Sequence, residues 1–177
     1  MKSKVFVVLF LTVLFSFNAN AQVKRDNLTD KEDMQVREAQ ELDLRMKVYV
    51  RIIERRLLAI SNPNAPQTKE LQKEAETLGD VRTGTSSDLY WDIQKTLNEA
   101  IGKIDDAAER DINNPLFGKA VHILTDGCQK WQPQFKAGIE KTQDEKEKGL
   151  ILSSVESCSQ IIEASAKVPK EEKKKKN

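Results

Sequence analysis

From Thr29 to Ser61 the chain runs without a glycine or a proline. It opens with Thr29-Asp30-Lys31-Glu32, the Thr-x-x-Glu pattern of a capping box, in which side chains satisfy the free backbone donors of a helix start. It stops ahead of Pro63, because the residue before a proline is pushed out of helical geometry. Between those signals the sequence predicts one long first helix of about nine turns at 3.6 residues per turn. Its main apolar stripe is Ala39, Leu42, Met46, Tyr49, Val50, Ile53, Leu57 and Ile60, spaced by threes and fours so that they share a face. A helix this apolar must be covered by other helices.

Leu44, Val48 and Ile52 form a second apolar line well round from the first. Something should cover it, either a later segment or, in a homodimer, a second copy of the chain. Arginines and lysines crowd the same region. Arg45, Lys47, Arg51, Arg55 and Arg56 fall within twelve residues, with Glu54 the only acid among positions 45–56. Such a run forms either an anion-binding interaction surface or a solvated face balanced by acids on other helices. Surface arginines need no ligand and no aromatic residues alternate with these, so the solvated face is the stronger reading.

The remaining helices follow from turn chemistry. Asn62-Pro63-Asn64-Ala65-Pro66 is a rigid connection. A short helix follows from Thr68 to Leu78, closed by Gly79 in the position favoured after a helix end. Its line of Leu71, Ala75 and Leu78 is expected to fold back over Leu44, Val48 and Ile52. A third helix capped by Ser86 or Ser87 carries Leu89, Tyr90, Ile93, Leu97, Ala100, Ile101 and Ile104 to about Ile112. Trp91 lies off that stripe, as an exposed aromatic for a partner or as a half-buried ring under the 62–87 connection. Asn114 caps the next helix, with Pro115 in its first turn. Its stripe is Phe117, Val121, Leu124, Cys128, Trp131, Phe135 and Ile139, and Pro133 is expected to kink it. The last helix carries Ile151, Val155, Cys158 and Ile162 and ends before Pro169. The expected fold is all-α: an antiparallel four-helix bundle with a short additional helix after the first long one.

The chain begins with Lys2 and Lys4, an apolar run from Val5 to Phe17, and small residues in Asn18-Ala19-Asn20-Ala21. These are the three parts of a secretory signal, with cleavage expected after Ala21. The run falls short of the roughly 20 apolar residues that span a bilayer. The expected organisation is a cleaved signal over 1–21, a flexible mature amino end over 22–28, a helical domain over 29–166 and a disordered lysine-rich tail over 167–177. The expected location is exported, periplasmic or secreted, with no transmembrane helix after cleavage. Of the 29 basic residues in the chain, Lys2 and Lys4 leave with the signal, and 27 then face 28 acidic ones, a net charge of −1. The tail from Lys167 onward, with six Lys and two Glu, is +4, and the remaining body, with 21 basic and 26 acidic residues, is −5. An acidic body with a basic tail is not the footprint of a specific nucleic-acid-binding domain.

Two cysteines complete the pattern. Both lie on core-facing stripes, and their midpoint falls at position 143, inside the polar run Lys141 to Lys148. In an antiparallel hairpin folded there, Cys128 and Cys158 stand at the same height. An oxidising compartment would join them, and the predicted disulfide closes a loop worth roughly 3–4 kcal/mol in the chain-entropy model. The alternative is a pair of buried free thiols.

No catalytic set emerges. His122, the one histidine, should face outward, with Asp126 one turn away and no third member. The core stripes contain no Glu-x-x-His for a di-metal site. Met46 points inward but has no axial partner for haem. No cofactor or metal is expected. The reading is a non-enzymatic exported protein that binds another macromolecule or serves a structural role in the cell envelope. A bundle holding a small apolar or anionic ligand comes second, and an enzyme a distant third.

Overall fold

The structure, a computed structural model, describes residues 25–62 and 69–169, and among these every regular element is a helix. They are α1 (Asp30–Glu38), α2 (Leu42–Ser61), α3 (Lys69–Leu78), α4 (Ser86–Asp111), α5 (Pro115–Lys141) and α6 (Glu145–Ser165). The signal expected over 1–21 and the last eight positions of the tail lie outside the described residues.

The long first helix is broken. α1 ends at Glu38 and α2 begins at Leu42, with Ala39 at ψ 84 and Glu41 extended. Neither glycine nor proline forces the break. Glu32 and Arg56 are 24 residues apart, so a straight helix would hold them about 36 Å from each other. In the structure Arg56 Nη1 and Nη2 donate to the two Glu32 carboxylate oxygens at 2.5 and 2.6 Å. α1 therefore turns back along α2. The corner is tied by Arg45 Nε, which donates to the Ala39 carbonyl at 3.0 Å.

The reversal also moves α3. It packs on α1 and is tied to α2 by Arg51, with Arg55 reaching Gly79 just beyond its end, and it leaves Leu44 of the expected line uncovered. Leu44 stays exposed, Val48 is half-buried and Ile52 is fully buried. The homodimer line is thereby divided, since a fully buried isoleucine offers nothing to a second copy.

Cross-helix contacts give the registers. Tyr49 Oη donates to Glu99 at 2.8 Å, and one turn-pair further Arg56 Nε lies 3.8 Å from Asp92, so α2 and α4 run antiparallel. Gln94 and Asn98 of α4 meet Ser153 and Ser157 of α6, a parallel pairing. α5 and α6 are antiparallel, with Gly118 beside Val168 and Gln132 beside Ser159. α2 and α5 are parallel, with Asp43 against Lys119 and Val50 against Gly127. Met46, Tyr49, Ile53, Ile93, Leu97, Leu124, Trp131, Phe135 and Ile151 fill the interior, each fully buried.

Local signals explain the ends. Thr29 and Glu32 form the expected capping box. Thr85, one residue before the expected serines, caps α4 with Asp88 in a second box. Asn114 caps α5 by accepting from Leu116 N–H, ahead of Pro115. Pro133 sits inside α5 without ending it. It and Gln129, whose carbonyl loses its helical partner to the proline, are both exposed. Water can therefore take that carbonyl.

Candidate functional site

The most highly charged place in the interior lies where α1, α2 and α4 meet. Asp92, fully buried on α4, accepts from Arg25 Nε and Nη2 at 3.0 and 2.7 Å, and Arg82 Nε stands 3.4 Å away. Arg56 lies between Asp92 and Glu32, and its Nη2 also donates to the Asn27 carbonyl at 3.2 Å. Asn27 bonds Thr96 and Glu99 on α4. The stretch expected to be flexible is thus pinned from Arg25 onward. Burial pushes the Glu32 carboxyl up. The hydrogen bonds and charge of Arg56, the Thr29 N–H and the nearby Arg55 outweigh it and hold the group below its ordinary value. Hydrogen bonding to Asp92 raises Arg25. Burial lowers Arg55 and Arg82, whose acids only partly compensate. These opposed charges tie the amino end, α1, α2 and α4 together, although Arg55 Nε and Nη1 and Arg56 Nε are buried without a hydrogen-bond partner among the described residues, so the arrangement is a lock between segments.

Two of the five cations in the run from Arg45 to Arg56, read as a solvated face or, less strongly, an interaction surface, are inside that lock or beside it. Arg55 and Arg56 are fully buried, and no partner protein can touch them. Arg55 Nη2 donates to the Gly79 carbonyl, which the left-handed backbone of Gly79 (φ 75) turns toward it. The other three stand at the surface. Arg51 pairs with Glu54 and Glu74. Lys47 lies 3.8 Å from Asp43. Arg45 anchors the α1–α2 corner. Trp91 is half-buried, with Lys95 Nζ 5.9 Å from its ring centroid.

Asp43 is a further covered carboxylate, apart from Glu32 and Asp92. It sits under Lys119 and Lys47, and Lys119 Nζ lies 2.5 Å from Oδ2. Burial raises the group, and the two lysines more than reverse that.

Cys128 and Cys158 meet as the hairpin register requires. Both are buried free thiols that lie near one another, so the expected disulfide is not formed in this structure. The neighbouring Cys158 thiol, with burial, pushes the Cys128 thiol up. A thiol held protonated is a poor nucleophile.

Open space lies at the far end, where α2 and α5 begin and α4 ends. A cavity of about 450 Å³ is lined by Leu42, Arg45, Lys103, Ala107, Arg110, Leu116 and Phe117, among others. A neighbouring cavity of about 460 Å³ shares Asn114 and Phe117 and is walled by Ile112, Pro115 and Val168. His122 contacts the Val168 carbonyl through Nε2 at 3.2 Å. Lys103 and Arg110 carry no sequence signal, because a base in the last turns of a helix reads as ordinary dipole compensation. No helix among the described residues is long and apolar enough to cross a membrane, and none of their His, Cys, Asp and Glu side chains gather in threes to hold a metal ion. No family model, curated protein or solved structure matches the chain.

Proposed function

We propose that the chain is an exported, non-enzymatic protein whose four long helices, α2, α4, α5 and α6, form one bundle, and that it acts by binding another macromolecule or as a structural part of the cell envelope. The observation that carries this reading is the closed interior. From Met46 to Ile151 the facing side chains are fully buried and apolar, and the buried charges are engaged in holding segments together. A small-ligand-binding role is the second reading, favoured by the cavity between α2, α4 and α5.

Export carries the cysteine pair with it. Thiol–disulfide exchange with an oxidised dithiol partner takes two hydrogens from Cys128 and Cys158 and leaves that partner reduced. In the native protein the protonated, buried thiols react slowly, so the bond is expected to form before packing is complete. Protein recovered from an export-competent host should begin at Gln22 and weigh two hydrogens less than the sequence, regained on reduction. Its unfolding in urea should be harder than that of the reduced form by roughly 3–4 kcal/mol. An intact mass with Met1 retained and both thiols free would remove export and cross-link together. Hydrolase turnover that vanishes in His122→Ala would overturn the non-enzymatic reading.

A further inference from the structure

The two arginines in the cavity at the α2–α4–α5 end differ from those elsewhere in the molecule. Arg45 and Arg110 each spend Nε on a neutral backbone carbonyl, Ala39 at 3.0 Å and Asp106 at 2.9 Å. Among the described residues neither forms an ion pair, whereas Arg25, Arg37, Arg51, Arg55, Arg56 and Arg82 all do. Anchoring through Nε fixes each guanidinium and leaves its terminal nitrogens available. Lys103 lines the same cavity, 3.9 Å from Asp106. Leu42, Ala107, Leu116 and Phe117 supply an apolar wall. α2 also starts here with no side-chain cap, since Glu41 makes no bond to its first turn.

Two acids, Glu41 and Asp111, line the cavity as well. Asp111 Oδ1 is occupied by the Asn113 N–H at 3.0 Å. The lining holds three bases and two acids, and Lys103 is also paired with Asp106, so the charge open to a ligand lies on the terminal nitrogens of Arg45 and Arg110. So small a positive excess matches a monoanion and would leave much of a dianion's charge uncompensated. A fixed guanidinium fork suits the planar carboxylate, which it binds through two parallel hydrogen bonds. The apolar wall asks for a hydrocarbon body, and about 450 Å³ is within the range of small-molecule sites.

We propose that this cavity binds a small amphipathic monocarboxylate, its head on Arg45, Arg110 and Lys103 and its body against Leu42, Ala107, Leu116 and Phe117. This rests on the small-ligand reading and is independent of export and of the cysteine bond, which the intact mass tests separately.

The test is isothermal titration calorimetry of the purified full-length mature protein with octanoate, octanol, acetate and inorganic phosphate. Octanoate should bind one to one, and octanol and acetate at least tenfold more weakly. Arg110→Gln should weaken octanoate roughly tenfold or more, the loss of one charge-assisted bond. Arg110 is exposed at the end of α4 and its loss should leave the helical circular dichroism unchanged. Lys103→Gln, tested beside it, should weaken binding in the same direction. Octanol equal to octanoate would show an apolar cleft only and overturn the proposal. So would phosphate binding more tightly than octanoate, no octanoate binding at millimolar concentration, or binding unchanged in both variants.

Discussion

Glu32→Ala is expected to destabilise the protein by about 3–5 kcal/mol, the range found when one partner is removed from a buried ion pair. The side chain does two things at once. Its carboxylate accepts both terminal nitrogens of Arg56, and it closes the capping box by accepting from Thr29 N–H at 2.9 Å. Without it Arg56 stays fully buried with Asp92 no nearer than 3.8 Å, and Asp92 is already shared with Arg25 and Arg82. The unpaired guanidinium supplies most of the cost, and the lost cap adds about 1 kcal/mol. Urea unfolding of Glu32→Ala measures the sum. Arg56→Met beside Glu32→Leu separates the terms, because replacing both charges by apolar groups should recover much of the loss. A Glu32→Ala protein within about 0.5 kcal/mol of the parent would mean that the α1 reversal does not depend on this pair.

The same carboxylate sets the acid limb of stability. A folded value held below the ordinary 4.5 means that the unfolded chain binds the proton more readily. Stability from Glu32 is therefore fully present above that ordinary value and is lost as pH falls through the lower folded one. Asp43, held down by Lys119 and Lys47, acts in the same direction from its ordinary 3.8. Circular dichroism between neutral pH and about pH 2 should show stability falling over this window. In Glu32→Gln the fall should be shallower and should begin from a lower plateau. An unchanged slope would remove Glu32 from the acid transition.

What the sequence made readable was local or periodic. The core stripes, the Thr29 box, Pro115 in the first turn of α5 and Gly79 after α3 each follow from a few neighbouring residues. The cysteine register was readable because one polar turn fixes an antiparallel hairpin. The break at positions 39–41 was not readable, since no glycine or proline marks it. It arises from an attraction between residues 24 apart that is visible only once α1 has turned. Arg55 and Arg56 were hidden for the same reason. A run of bases reads as surface until the acids that bury it, Glu32 and Asp92, are brought in from α1 and α4. The end cavity was hidden too, because Arg45, Lys103 and Arg110 come from two helices and gain a common site only through the antiparallel packing of α2 on α4.

Trp131→Ala is expected to cost about 3–5 kcal/mol, as deletion of a fully buried large aromatic does. Its role beyond bulk is tested through Gly127, one turn earlier on α5. A Cβ placed there would lie 2.8 Å from Trp131 Cζ2 and Cη2 and 3.2 Å from Val50 Cγ2. With the tryptophan present, Gly127→Ala must push against an indole that has no free volume to enter. The overpacking cost, about 1–3 kcal/mol, should exceed the helix-propensity gain of up to about 1 kcal/mol. With Trp131 already alanine, the indole contact is gone and Val50 can relax into the vacated space. Gly127→Ala should then be neutral or stabilising. Wild type, the two single variants and the double variant, unfolded in urea, give the coupling directly. A coupling above about 1 kcal/mol would show that the missing Cβ at position 127 is what lets α2 and α5 close over the indole, the contact on which the closed interior depends. Additivity within about 0.5 kcal/mol, the behaviour of independent sites, would show that it is not.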